Sequence, residues 1–91
     1  MGRVTQAIRD KLTAAFQPER LEVVDDSARH AGHAGSPGSG ESHFNVVIVS
    51  AVFKGQGRVQ RQRAVYTALS EELAGPVHAL SVKAFAPGEQ A

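Results

Sequence analysis

From the third residue onward, apolar side chains recur at four-residue spacing: Val4, Ile8, Leu12 and Phe16, with Ala15 beside the last. Arg3, Arg9, Asp10 and Lys11 fall mostly off that stripe. The pattern is that of an amphipathic helix, and it predicts one over about 3–16. The helix should stop at Gln17-Pro18, because proline pushes the preceding residue out of the helical region. Leu21-Glu22-Val23-Val24-Asp25-Asp26 then alternates, with Leu21 and Val23 on one face, and reads as a short strand. Residues 27–42 show no periodicity and carry Pro37 and four glycines. A connection of that length within a small domain is usually functional or disordered, and it is read as a flexible loop. Phe44 to Phe53 is rich in Val and Ile on both faces, as a central strand should be.

After a turn at Lys54-Gly55-Gln56-Gly57, Val65, Leu69 and Leu73 recur on a second helix expected from about 59 to 74. Gly75 suits its C-terminal cap and Pro76 prevents its continuation. A last strand is expected over 77–85, followed by a tail at 86–91. The sum is one domain over 1–91, of the α+β class, with the order αββαβ. Its three-stranded mixed sheet should carry the helices on one face. Strands one and two should pair antiparallel, while strands two and three, joined by a helical crossover, should be parallel with a right-handed connection. This topology has a chemical consequence. The end of strand one and the starts of strands two and three fall at one edge of the sheet. His43, His78 and the His30/His33 stretch should therefore converge, although His78 is distant in sequence.

Composition narrows the chemistry. The chain holds 91 residues, four histidines, no cysteine and a net charge of +1. With no cysteine it has no thiolate for disulfide, redox or metal chemistry, which suits a reducing compartment. Near-neutral charge argues against a strongly basic nucleic-acid protein. The N-terminal stretch lacks the apolar core of a secretion signal, and the run Val46–Phe53 is too short to span a bilayer. A cytoplasmic protein without membrane contact is expected. The serines and acids form no nucleophile or acid–base constellation, so no enzyme is expected. Neutral imidazole, by contrast, is the commonest protein metal ligand. Histidines spaced like His30 and His33 in a glycine-rich stretch are ordinarily solvated, and a histidine at a strand start, like His43 or His78, is ordinarily structural. Only convergence in space favours metal chemistry.

The chain resembles the BolA family along nearly its whole length. The resemblance is carried by Leu21-Glu22-Val23-Val24-Asp25-Asp26-Ser27, by Gly40-Glu41-Ser42-His43-Phe44-Asn45-Val46 and by Phe53-Lys54-Gly55. It continues through Arg61-Gln62-Arg63, Tyr66, Leu69-Ser70-Glu71-Glu72-Leu73 and Val77-His78-Ala79-Leu80. It implies a fold like a type II KH domain and partnership with a monothiol glutaredoxin. In that partnership a [2Fe–2S] cluster is shared, with glutaredoxin cysteine and glutathione on one side and histidines on the other. The implied ligands are His78 and, from the loop, His30, with His33 and His43 as alternates. Alone, the protein would carry no cofactor and be a monomer or weak homodimer. Gln62 departs from the histidine frequent at its place in the family.

The family is also linked to DNA binding in transcriptional regulation, stress response and cell morphology, through the turn and second helix. Here Lys54, Arg58, Arg61 and Arg63 fall within ten residues with no acid among them. They form a local basic patch suited to weak contact with duplex DNA. The spacing Gly55-Gln56-Gly57 lacks the GxxG loop by which KH domains clamp single-stranded RNA.

Overall fold

The computed structural model describes residues 2–25 and 43–89. The loop expected at 27–42, with His30 and His33, lies outside the described residues, as do the last two of the tail. Helix α1 runs over Arg3–Phe16 and buries Ile8, Leu12 and Phe16. Gln17 ends it in a left-handed conformation, φ 46°, and donates its N–H to the Thr13 carbonyl. Pro18 follows immediately, as the sequence leads one to expect. Strand β1 covers Arg20–Asp25, β2 His43–Val49 and β3 Ala79–Phe85. The sheet order is β1-β2-β3, antiparallel between the first pair and parallel between the second.

Phe44, Val46 and Ile48 alternate along β2 and lie within 2 % of full burial, beneath Ile8, Leu12 and Phe16 of α1. Val65 and Leu69 join them from the second helical region and Val82 from β3, so both helical layers cover one face of the sheet. The Phe16 and Phe53 rings meet with centroids 5.1 Å apart. The period-two pattern of β2 thus meets the four-residue stripe of α1, and burial of these apolar surfaces drives their association.

Three expected boundaries move, each for a local reason. Strand β2 stops at Val49 rather than running to Phe53, because Ser50 folds the chain into a 3-10 turn over Ala51–Phe53. The Ser50 hydroxyl accepts the Val52 N–H, and its carbonyl accepts the Phe53 N–H; serine competes in this way with ladder bonding. The second helix is interrupted. Helix α2 spans Arg58–Ala68, a short α3 spans Ser70–Ala74, and Leu69 between them divides its N–H between the Val65 and Tyr66 carbonyls. Strand β3 begins at Ala79, two residues later than expected. Pro76 has no N–H, and the Val77 N–H is already used on the Glu72 carbonyl. His78 therefore stands in the connection just before the strand.

Candidate functional site

The register fixes which strand ends share an edge. His43 of β2 pairs with Ala79 of β3, and Asp25, the last residue of β1, pairs with Phe44. His78 precedes Ala79, so its ring comes to lie against that of His43, with centroids 6.5 Å apart and planes inclined by 33°. His43 is half-buried and His78 exposed. The chain leaves this edge of the sheet after Asp25 and returns at His43, so the segment carrying His30 and His33 begins and ends at the edge where the two rings lie. Among the described residues no group of three or more histidine, cysteine or acidic side chains is arranged to hold a metal ion. The described metal-ligating groups at the edge are the imidazoles of His43 and His78 and, at the end of β1, the carboxylate of Asp25. Imidazole is a ligand type that iron–sulfur centres accept, as where two histidines replace two cysteines on one iron.

The basic residues separate into two kinds. Lys54, Arg58 and Arg63 are exposed around the turn and first part of α2. Gly55 makes that turn with φ 80°, a conformation glycine adopts without steric penalty, and the Gln60 side-chain oxygen accepts the Gly57 N–H ahead of α2. Arg61 is different. Its side chain is only 12 % exposed. Its Nε donates to the Gln56 carbonyl at 2.9 Å, and Nη1 donates to the Ala84 carbonyl at 3.0 Å. Nη1 and Nη2 also hold both carboxylate oxygens of Glu89, at 2.6 and 3.0 Å. Hydrogen bonding to Arg61, then to the Ala86 N–H, lowers the Glu89 carboxyl to a pKa of about 2, and the Arg61 pKa is raised mainly by the Glu89 hydrogen bond.

In the sequence Arg61 groups with the other cations and Glu89 falls in the tail. No local signal joins residues 28 positions apart. Lys11 of α1 is a similar case. Its ammonium lies 2.7 and 3.0 Å from the two carboxylate oxygens of Glu72, and the Glu72 hydrogen bond raises the Lys11 pKa. The acids of α3 thus answer a charge on another helix, not the arginines of α2. No helix among the described residues is long and apolar enough to cross a membrane.

Comparison with known proteins gives this geometry a family. The family model for BolA-like proteins matches residues 12–89. BolA-like protein 1 of Bos taurus is 52 % identical over 89 residues, covering 98 % of this chain and 63 % of that protein. The chain therefore spans less than two thirds of that relative's length. The Escherichia coli protein named DNA-binding transcriptional regulator BolA is 49 % identical over 82 residues, covering 90 % of this chain and 74 % of its own. Among solved structures, the BolA domain of SufE1 from Arabidopsis thaliana superposes with a TM-score of 0.88 at 43 % identity, over 99 % of each chain. The likeness extends through both helical layers and all three strands, and on it the chain belongs to the BolA-like protein family.

Proposed function

We propose that this protein is a non-enzymatic, cytoplasmic partner of a monothiol glutaredoxin, with which it shares a [2Fe–2S] cluster through histidine ligands in iron–sulfur or iron homeostasis. His78 is the first ligand and His30 the second, with His33 and His43 as alternates. The observation that carries the reading is the approach of the His43 and His78 rings at the one edge where segment 26–42 leaves and rejoins the sheet. A chain without cysteine supplies no thiolate, so the remaining ligands come from the glutaredoxin and from glutathione. When bound, the cluster supplies one-electron redox chemistry, and imidazole ligation raises its potential relative to thiolate ligation. The exposed ring of His78 is available to an iron carried by another protein, and the half-buried ring of His43 stands behind it. The test is to add the purified protein to a cluster-loaded monothiol glutaredoxin and record visible circular dichroism. A new spectrum saturating at one equivalent is expected, and an unchanged spectrum refutes the reading.

A second reading is a DNA-binding regulator. It is favoured by the name of the Escherichia coli relative, DNA-binding transcriptional regulator BolA, and by the exposure of Lys54, Arg58 and Arg63 around one turn. It ranks below the first because Arg61, the fourth cation, is engaged by Glu89.

A further inference from the structure

At the end of the sheet away from the histidines, a cleft of about 690 Å³ lies between the start of α2 and the second half of β3. Its volume falls in the range of small-molecule sites. Arg58, Arg61 and Lys83 line it against a single acid, Glu89, with Gln62 and Ser81 as neutral hydrogen-bonding groups. Ala84, whose carbonyl holds Arg61, lies roughly 20 Å along the strand from His78 at a rise of about 3.3 Å per residue, while the Ser81 end of the cleft reaches within about 10 Å of the histidine edge.

The arrangement inside the cleft is specific. Two main-chain carbonyls, of Gln56 and Ala84, hold the inner edge of the Arg61 guanidinium. Its outer edge presents two N–H groups to one carboxylate, and the Ala86 N–H donates to the same carboxylate at 2.9 Å. Three donors thus converge on one oxoanion, in the planar geometry by which arginine recognises carboxylate and phosphate. The donor side is fixed by the main chain. The acceptor side is more open: the Glu89 main chain is held by its own N–H on the Ala86 carbonyl at 3.1 Å, but its side chain, in the turn that follows β3, is 43 % exposed against 12 % for Arg61. Rotation of the Glu89 side chain with the bonds to Gln56 and Ala84 kept would leave an oriented fork flanked by Arg58 and Lys83.

We propose that this cleft is an oxoanion-binding site for a small phosphorylated or polycarboxylate ligand, with Glu89 as its internal competitor. The ligand's oxoanion group takes the Arg61 and Ala86 donors, and Arg58 and Lys83 balance its remaining negative charge. The site is independent of the cluster reading, since it shares no residue with the histidine edge.

The test titrates inorganic phosphate and, separately, malonate into the full chain at constant ionic strength. Binding is followed through the backbone amide signals of Ala84 and Ala86. Weak saturable binding is expected for the parent, and about three- to tenfold tighter binding for Glu89→Gln, the scale set by removing a partly exposed ionic competitor. Tighter binding of phosphate assigns a phosphorylated ligand, and tighter binding of malonate a polycarboxylate. Adding Arg61→Lys to Glu89→Gln keeps the charge but removes the fork, and should abolish the gain. Should that double variant fail to fold, Lys83→Ala, at an exposed position of β3, should weaken binding in the Glu89→Gln background. The proposal is overturned if Glu89→Gln binds neither anion more tightly than the parent. It is equally overturned if the second substitution that folds leaves affinity unchanged.

Discussion

Replacing Ser50 with alanine removes one oxygen atom from the interior, and the structure sets the size of the effect. Ser50 is 1 % exposed. Its hydroxyl donates to the Phe16 carbonyl at 2.6 Å and accepts the Val52 N–H at 3.2 Å. Phe16 is the last residue of α1, so its carbonyl is one of the four that a helix end leaves without an internal partner. Alanine keeps the Cβ, so the change is almost purely polar. Stranding a buried carbonyl costs about 1–3 kcal/mol. The Val52 N–H is only partly buried and water replaces much of its bond, so its loss adds about 0.5 kcal/mol. The expected destabilisation is roughly 1.5–3.5 kcal/mol, against a total of about 5–14 kcal/mol for a chain of this size. The melting temperature should fall by about 8–20 °C. Urea unfolding should show a lower midpoint at unchanged slope, since the surface exposed on unfolding is the same. Ser70→Ala, at an exposed position of α3, serves as control and should stay within about 0.5 kcal/mol of the parent. A loss below about 0.5 kcal/mol for Ser50→Ala would mean that the Phe16 carbonyl is satisfied some other way, and the reasoning fails.

The other expectations concern the two ends of the sheet. His78→Ala should abolish or weaken the mixed-ligand circular dichroism spectrum with the fold intact, and His30→Ala should perturb it more than His33→Ala; a parent-like spectrum for His78→Ala removes that residue as a ligand. The Glu89 carboxyl is held at about 2, below its usual 4.5, so its stabilising pairing is complete above about pH 4.5 and disappears as pH falls toward 2. Urea unfolding across that window should depend less steeply on pH for Glu89→Gln than for the parent, and superimposable curves refute the pairing. If duplex DNA binds at the basic turn through Lys54, Arg58 and Arg63, a log–log salt slope of about −2.7 is expected. A slope near −3.6 would place Arg61 on a phosphate as well, and absence of binding at low salt removes the regulator reading.

Much of this protein is legible in its sequence, because the information is local or follows from connectivity. The four-residue stripe of α1 and the Gln17-Pro18 stop define a helix by themselves, since each depends on neighbours within one turn. The pairing of strands follows from a short helical crossover between β2 and β3, which admits a parallel arrangement of one hand. That rule also brings His43 and His78 to one edge, where the rings lie 6.5 Å apart. Tertiary structure decided what depends on partners distant in sequence. Arg61 reads as one of four free cations until Glu89, Gln56 and Ala84 are seen around it. Lys11 and Glu72 meet across 61 positions. Ser50 looks like a polar interruption of a strand, yet its hydroxyl closes the end of α1 and turns the chain at Val49. A hydrogen-bonding group carries no periodic mark of the partner it will find, whereas apolar spacing repeats along the chain. The hydrophobic pattern therefore determined the elements, and the packed fold determined which polar groups are engaged and which remain available for binding.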